Sequence, residues 1–137
     1  MDCIFCKIIK KEIPAEKIYE EKNVLAFLDI KPINTGHILV IPKKHFKNIY
    51  EIPDKDFCDL TKVVKKLSSI IKKATKADGI NIGINNDEAA GQVIFHSHIH
   101  IIPRFKNDGL KHWKGKERYE KGEMEKVLKK IKKALTL

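Results

Sequence analysis

Three histidines alternate with other residues in the segment His96-Ser97-His98-Ile99-His100. On a strand, residues two apart share one face and lie roughly 6.5–7 Å apart, so these imidazoles would form a row. Three imidazoles in a row fill a hydrophobic core poorly, which favours a functional site. An imidazole can attack phosphorus as the free base, exchange a proton with a leaving group, or bind a metal ion. The spacing alone therefore leaves a catalytic cluster and a metal site both open.

A second chemical pair lies near the N-terminus, where Cys3 and Cys6 form a Cys-x-x-Cys motif. Two thiolates supply half of the four ligands that structural zinc requires, so two more must come from elsewhere. A redox role is less favoured, because no βαβ unit of the thioredoxin type follows the motif. Two ordinary cysteines on a helix face are the remaining alternative. The third cysteine, Cys58, lies in an apolar helical pattern that predicts a buried thiol, and the odd number argues against a disulfide framework.

Hydrophobic periodicity and turn residues divide the chain into the elements that would position these groups. Residues 3–11 and 122–135 are predicted to be short helices, and residues 54–77 one long helix. Five strands are predicted over residues 15–21, 24–30, 37–42, 80–86 and 93–102. The predicted fold class is α+β: an antiparallel five-stranded sheet with one long helix and short terminal helices packed on it.

The last two predicted helices both carry apolar stripes. In the long helix, Asp54 is the predicted N-cap, and Asp78-Gly79 is the predicted stop. The terminal helix has a stripe that is predicted to face inward, formed by Met124, Val127, Leu128, Ile131 and Leu135. We therefore expect both helices to pack against the sheet.

The composition of the chain, 42% hydrophobic and 34% charged over 137 residues, suits one folded domain. We expect a domain core over residues 1–105 and a C-terminal extension with a helix over residues 106–137, part of the same domain. No apolar stretch approaches the roughly 20 residues of a membrane span, and the first residues have no signal-peptide layout. We therefore expect a cytoplasmic protein with no membrane partner. The net charge of +10 rests on 26 lysines and two arginines, and the scarcity of arginine and of aromatic clusters argues against a nucleic-acid partner.

Three segments resemble one known family in the same order along the chain. They are CIFCKIIKKEIP at 3–14, AFLDIKPINTGHILVIPKKH at 26–45, and the 85–104 stretch, whose AGQVIFHSHIHIIPR contains the histidine motif with its following apolar pair. Together they resemble the histidine triad (HIT) family of nucleotide hydrolases and transferases, in its nucleotide-binding, phosphoramidase-like branch. The resemblance covers roughly residues 3–105. It implies a homodimer that cleaves a purine nucleoside 5′-phosphoramidate, or a similar nucleotide, at the α-phosphate through a nucleotidyl-histidine intermediate.

The resemblance also implies roles for the catalytic residues. His98 would be the nucleophile, and its neighbour His100 would hydrogen-bond the phosphate or the leaving group. His37 would orient or polarise groups near the scissile bond, and Gln92 would donate to the bridging oxygen or the leaving group.

Nucleotide-binding residues follow from the same resemblance. Asp29 would accept hydrogen bonds from the ribose hydroxyls, and Asn85, Gly91, Gln92 and Val93 would cradle the phosphate. The purine would lie in an apolar slot formed by Ile4, Phe5, Ile8, Ile13, Phe27 and Ile30. Many relatives carry Ser or Thr where this chain has Val93, so we expect altered phosphate contacts at that position.

Zinc is the cofactor that the resemblance implies, held by Cys3, Cys6, His45 and His96. Such a site has no open position, so the metal would be structural and His96 would join the strand to the N-terminal helix. Two other functions stay open at this point. One is hydrolysis of dinucleoside polyphosphates, and the other is a non-catalytic module that binds nucleotides or nucleic acid.

Overall fold

The computed structural model describes residues 2–136. In chain order the elements are α1 (Ile4–Ile9), β1 (Lys17–Glu20), β2 (Val24–Leu28), β3 (Ile38–Pro42), α2 (Asp54–Thr75), β4 (Gly79–Gly83), β5 (Ile99–Arg104) and α3 (Glu123–Leu135). A 3₁₀ turn at Glu88–Ala90 lies between β4 and β5. The strands form one antiparallel sheet in the order β1-β2-β3-β5-β4. The predicted α+β class with a five-stranded antiparallel sheet is confirmed.

Each face of the sheet packs against its own helix. Because side chains alternate along a strand, Ile38 and Val40 of β3 pack in the core formed with α2. Leu39 and Ile41 of the same strand pack in a second core with α1. His100 is paired in register with Leu39, so its ring lies on the α1 face. The site is therefore built on the side of the sheet that carries the short helix.

The ends of α2 differ from the sequence prediction. Asp54 is the first helical residue, Pro53 occupies the N-cap, and no side chain caps the helix. The prediction that Asp54 is the N-cap is therefore wrong; with Asp56 it lies in the first turn, where a carboxylate suits the positive end of the helix dipole. The helix stops at Lys76, which takes the left-handed conformation (φ 57°), and Gly79 already belongs to β4.

Two predictions of burial are wrong. Cys58 lies on the solvent side of α2 and is exposed, because the apolar arc of that helix passes beside it. The apolar stripe of α3 is exposed as well: Leu128 and Ile131 keep 48% and 54% of their accessible surface. No residue of α3 is buried, so within residues 2–136 this stripe has no packing partner.

The strand predicted over residues 93–102 begins only at Ile99, and residues 93–98 run as irregular chain. The backbone N–H of Ser97 donates to the carbonyl of Phe46 (2.7 Å), so the segment is tied to a loop instead of to a neighbouring strand. The other four strands lie within the predicted ranges or one residue outside them.

The chain after β5 is held by an ion pair. The guanidinium of Arg104 donates two hydrogen bonds to Asp108 (2.8 and 3.1 Å), and the side chain of Asn34 donates a third (3.1 Å). These contacts, Arg104 first, hold the pKa of Asp108 well below its usual range. Beyond Leu110, residues 111–122 are exposed and form neither helix nor strand. None of the helices within residues 2–136 is long and apolar enough to cross a bilayer.

Candidate active site and metal centre

His98 lies directly before β5 and is buried, with 7% of its surface exposed. Its Nδ1 is 2.7 Å from the backbone carbonyl oxygen of His96. A carbonyl oxygen only accepts, so Nδ1 carries the proton and Nε2 keeps a free lone pair. Burial lowers the pKa of His98 below its ordinary value, which favours the neutral ring. His98 therefore presents a neutral imidazole nitrogen that can act as a nucleophile.

His37 and His100 form a directed chain of hydrogen bonds. The backbone N–H of Ile33 donates to Nδ1 of His37 (3.1 Å), so the proton of neutral His37 is on Nε2. That Nε2 lies 2.9 Å from Nδ1 of His100, where His37 donates and His100 accepts. The proton of His100 is then on its own Nε2. Burial lowers the pKa of His37, and burial together with the neighbouring histidines lowers the pKa of His100 to about 4.

The histidines lie together on the α1 face. The ring centroids of His98 and His100 are 5.0 Å apart. Phe5 of α1 packs edge-on against both His96 (5.8 Å) and His98 (5.2 Å), and it also contacts Phe27 (5.5 Å). Phe5, predicted as part of the base slot, therefore lies between that slot and the histidines and fixes the position of their rings.

Asp29 lies beside this chain of histidines. Its Oδ2 is 3.7 Å from Nε2 of His37, and its Oδ1 accepts the backbone N–H of Lys31 (2.8 Å). The side chain is 21% exposed, so its oxygens can still be reached from solvent. A carboxylate held in this way can accept hydrogen bonds from a pair of hydroxyl groups.

An apolar cavity of about 250 Å³ lies on the α1 face beside β1 and β2. Three of the six residues predicted to contact the base, Ile8, Ile13 and Phe27, line it. Ile4 and Ile30, which are 42% and 85% exposed, do not belong to this lining. The structure thus gathers half of the predicted slot into one cavity.

The cavity and the histidines are separated by a fixed distance across the sheet. Phe27 pairs with Leu39, and Leu39 pairs with His100, so two strand spacings, roughly 9–10 Å, separate the cavity wall from His100. A nucleoside 5′-phosphate can span this separation with its base in the cavity and its phosphorus beside the rings.

The loop predicted to hold the phosphate runs over residues 85–93. Gly91 takes a positive φ of 91°, a conformation that favours glycine and allows close approach to the backbone. The side chain of Asn85 donates to the carbonyl of Gly91 (3.4 Å), so it supports the loop. Val93 follows with 84% of its side chain exposed and offers no hydroxyl.

The hydrogen-bond partners of Gln92 differ from those predicted. Its side chain is buried, and its amide nitrogen donates to the carbonyls of Lys47 (2.7 Å) and Ile94 (3.1 Å). Its amide oxygen accepts the N–H of Asp87 (2.8 Å). Both amide hydrogens are therefore used within the loop, and in this structure neither is available to a leaving group.

Sequence reasoning missed Asn48, a buried residue of the loop after β3. Its side chain donates to Asp87 (3.2 Å) and accepts the N–H of Tyr50 (3.2 Å). Next to it, the N–H of Ile49 donates to the side chain of Asn86 (2.8 Å). Asn48 thus fixes the 85–93 loop through Asp87, 39 residues further along the chain, and no local spacing in the sequence could have indicated this contact.

Four side chains converge at the N-terminal end of the site: Cys3, Cys6, His45 and His96. The Sγ atom of Cys3 is 3.5 Å from Nδ1 of His96, the Sγ of Cys6 is 3.4 Å from Nδ1 of His45, and the two Nδ1 atoms are 3.1 Å apart. Tetrahedral zinc with ordinary bond lengths would place these ligand atoms roughly 3.3–3.8 Å from one another. The cluster could hold such an ion.

The orientation of His96 suits a metal ligand. Its Nε2 lies 2.8 Å from the carbonyl oxygen of Pro42, which can only accept, so the proton is on Nε2. Nδ1 is then the atom with the lone pair, and it is the atom that faces the cysteines. Metal-bound histidines usually have such a hydrogen bond on the second nitrogen. Burial of this ring lowers its pKa to about 4, which favours the neutral form that binds metals.

A second group, Asp29, His37 and His100, is also compact enough for a metal ion. The hydrogen bond from Ile33 argues against that use. It leaves the proton of neutral His37 on Nε2, the atom that would have to bind the ion. The group is better described as a chain of hydrogen bonds beside His98.

The family follows from a sequence comparison. Residues 10–107 match the HIT domain, and the chain belongs to the HIT domain family. The fold, an α+β arrangement with a five-stranded antiparallel sheet, matches that of solved members of the family.

Three relatives indicate how similar the chain is to known proteins. An uncharacterised HIT-like protein of Methanocaldococcus jannaschii is 54% identical over 78% of this chain and 82% of its own length. An adenylylsulfatase of Arabidopsis thaliana is 48% identical over 80% of this chain and 55% of its own length. An adenosine 5′-monophosphoramidase of Candida albicans is 44% identical over 74% of this chain and 70% of its own length.

Two solved structures extend the comparison to the whole chain. The crystal structure of the protein SMU.412c from Streptococcus mutans matches 98% of this chain and 85% of its own at a TM-score of 0.91, with 41% identity. A zinc-bound histidine triad protein from Mycobacterium smegmatis matches 98% of both chains at a TM-score of 0.78, with 36% identity. Because each match covers 98% of this chain, it includes residues of α3.

Proposed function

We propose that this protein is a nucleotide hydrolase that cleaves a purine nucleoside 5′-phosphoramidate, or a similar nucleotide, at the α-phosphate. The observation that carries the proposal is the pair of tautomers at His98 and His100. One ring offers a lone pair on Nε2, and the other offers a proton on Nε2. The activities named for the Arabidopsis and Candida relatives, both on adenine nucleotides, support a hydrolase of this class.

In the first step, Nε2 of His98 attacks the α-phosphorus while the bond from phosphorus to the leaving amine breaks. The departing nitrogen accepts a hydrogen bond from Nε2–H of His100 and takes its proton from a water molecule, and the hydroxide left by that water is the nucleophile of the second step. His37 holds the ring of His100 in this orientation through the 2.9 Å contact. Positive charge that develops on His98 is stabilised by the carbonyl of His96 at 2.7 Å. Water then hydrolyses the nucleotidyl-histidine and releases the nucleoside monophosphate.

Binding would use the groups beside the histidines. The base would occupy the cavity lined by Ile8, Ile13 and Phe27, and the ribose hydroxyls would donate to Asp29. The phosphate would lie against the loop at Gly91 and Val93, where backbone N–H groups replace the hydroxyl that this chain lacks. In this proposal Gln92 shapes the loop and does not touch the leaving group.

Zinc is proposed as a structural cofactor of the cluster formed by Cys3, Cys6, His45 and His96. The near-tetrahedral distances and the hydrogen bond from His96 to Pro42 support this assignment. All four positions of the ion would be filled by protein, so its contribution is to hold α1, the turn after β3 and the start of β5 together.

A homodimer is the proposed assembly. β4 lies at an edge of the sheet, and an edge strand can pair with a second chain. Ile70 on α2 and Ile82 on β4 are about half exposed and would supply apolar surface on the same side of the sheet. We place the interface at α2 and β4.

The test of the proposed reaction compares His98→Asn with wild type on adenosine 5′-phosphoramidate, adenylyl sulfate and a diadenosine polyphosphate. We expect turnover of the phosphoramidate to fall roughly 1,000-fold or more, with nucleotide binding kept. Mass spectrometry of quenched wild type should find an added nucleotidyl group, which the variant lacks. His112→Asn, on the exposed tail, is the matched control. Full activity of His98→Asn would overturn the mechanism, and a preference for the diadenosine compound would overturn the substrate assignment.

A further inference from the structure

The loop between β2 and β3, residues 29–37, determines the direction of the hydrogen bond between His37 and His100. The N–H of Ile33 donates to Nδ1 of His37 (3.1 Å), so the proton of neutral His37 is on Nε2. The carboxylate of Asp29, 3.7 Å from that Nε2, favours the same proton position. Both groups that set this direction therefore belong to the loop and not to the sheet.

The opposite direction is chemically possible for the same two rings. If the N–H of Ile33 moved away, the proton of His37 could lie on Nδ1, and its Nε2 would then accept from Nδ1–H of His100. Nε2 of His100 would keep a bare lone pair and could no longer donate. Which ring nitrogen is protonated depends on the hydrogen bond that the other nitrogen makes. The placement of one backbone N–H therefore determines whether His100 presents a proton to the site.

Little of the 29–37 loop is held by burial. Five of its nine residues are exposed: Ile30, Lys31, Pro32, Ile33 and Thr35. Among the residues that the structure describes, Asn34 is the one side chain of the loop, apart from His37, that hydrogen-bonds outside it. Its amide nitrogen donates to the carbonyl of Pro103 (2.9 Å) and to Oδ2 of Asp108 (3.1 Å). Asn34 also accepts the N–H of His37 with its own carbonyl (3.1 Å), so its side chain ties the loop down beside the ring.

Asp108 is a firmly held partner for that amide. Its side chain is 9% exposed and accepts five hydrogen bonds. The donors other than Asn34 are Nε and Nη2 of Arg104 (2.8 and 3.1 Å) and the N–H groups of Phe105 and Leu110 (3.0 Å each). Arg104 ends β5, the strand that contains His100, and its Nη1 also donates to Asn81 of β4 (2.6 Å). Asp108 is thus fixed to the same strand as His100.

We infer that Asp108, acting through Asn34, is a positioning residue that fixes the tautomers of His37 and His100. The amide of Asn34 ties the loop that contains His37 to the strand that contains His100. The two rings, 63 residues apart in the sequence, are thereby held in one hydrogen-bond direction. The effect on proton positions stands without any reaction. Its consequence for turnover rests on the proposed function, in which Nε2–H of His100 donates to the leaving group.

The test records long-range proton–nitrogen NMR spectra of the histidine rings at pH 7.5 in the full chain. The proteins compared are wild type, Asn34→Ala, Asp108→Asn and the control Asp78→Asn. Asp78 is matched because its carboxylate accepts the N–H of Lys106 (2.8 Å) in the same turn and, among the described residues, forms no hydrogen bond with the 29–37 loop. We expect wild type and the control to show Nε2 protonated in both rings, and the other two variants to show a mixture of tautomers. The double variant of Asn34 and Asp108 should shift the tautomers no further than Asp108→Asn alone, since both changes act through one contact.

Turnover of adenosine 5′-phosphoramidate is measured on the same samples, after circular dichroism has shown that they are folded. Asn34→Ala leaves the ion pair of Arg104 and Asp108 in place, so it tests the inference even if Asp108→Asn does not fold. We expect kcat/KM to fall roughly tenfold or more in Asn34→Ala and less than about twofold in Asp78→Asn, because small misplacements of reacting groups are costly.

Two results would overturn the inference. One is an unchanged tautomer of His37 and His100 in Asn34→Ala, and the other is an equal change in Asp78→Asn. A mixture of tautomers together with wild-type turnover would support the inference and contradict the part that His100 plays in the proposed reaction.

Discussion

At the scale of single residues, the neighbours of each histidine decide what that histidine can do. In the proposed reaction the same side chain is a potential metal ligand at 96, the nucleophile at 98 and a hydrogen-bond donor to the leaving group at 100. The difference lies in which ring nitrogen meets a carbonyl or an N–H: Pro42 for His96, and the carbonyl of His96 for His98. Position along the motif is therefore less informative than the hydrogen-bond partner.

Ser97 gives a residue-scale prediction about stability. Its hydroxyl is buried, and within the described residues it has no hydrogen-bond partner. An unsatisfied buried hydroxyl is costly, so Ser97→Ala should raise the free energy of unfolding by about 1 kcal/mol. Urea unfolding of the two proteins measures this difference, and turnover should be unchanged. A loss of stability of similar size would mean that the hydroxyl is satisfied, for example by a buried water.

At the scale of elements, the proposed zinc site joins parts of the chain that are distant in sequence. α1 is only six residues long, too short to be stable by itself, and its ring contacts through Phe5 define where the histidines lie. The cluster connects this helix to the turn after β3 and to the segment before β5. Metal binding would therefore contribute to the geometry of the active site without contacting the substrate.

Replacing one of the proposed zinc ligands tests whether the metal site stabilises α1. Cys6→Ser should abolish binding of one zinc per chain and lower the free energy of unfolding by on the order of 3 kcal/mol. The α1 amides should exchange faster than in wild type, because the helix loses its attachment to the sheet. Cys58→Ser is the matched control, since that thiol is exposed on α2 and should leave metal content unchanged. Wild-type protein purified without chelators that contains no zinc would contradict the site.

At the scale of the whole molecule, buried histidines link stability to pH. The pKa of His37 is lowered by burial, and that of His100 is lowered to about 4 from an ordinary value of 6.5. Below pH 6.5 these two histidines bind protons in the unfolded chain but stay neutral in the folded chain, so protonation favours unfolding. Stability from these groups is complete above pH 6.5 and is lost as the pH falls towards 4.

We expect the free energy of unfolding to drop between pH 6.5 and 4 by roughly 1 kcal/mol per pH unit. Urea titrations at pH 7.5, 6 and 5 measure the slope. The double variant His37→Asn with His100→Asn keeps the four proposed zinc ligands, so any difference in slope belongs to this pair. An identical slope in the variant would show that other groups control acid stability.

The family resemblance and the periodic segments of the sequence predicted much of this protein. Four of the five strands and α2 were located closely, because their apolar patterns are local and are reinforced by the sheet, whereas β5 begins six residues later than predicted. The alternation of histidines also predicted a shared face, although β5 begins only at Ile99. Cys3, Cys6, His45 and His96 were grouped correctly as a cluster that could hold a metal.

What only the tertiary structure decided concerns contacts between distant segments. The proton positions of the histidines depend on backbone groups at Ile33 and Pro42, and the place of Gln92 depends on Lys47. The apolar stripe of α3 was predicted correctly, but the prediction that it is buried was wrong. Periodicity shows that one face of a helix is apolar, and it does not show which surface covers that face. Sequence patterns record preferences of neighbouring residues, whereas hydrogen-bond direction and packing partners are set by groups that meet only after the chain has folded.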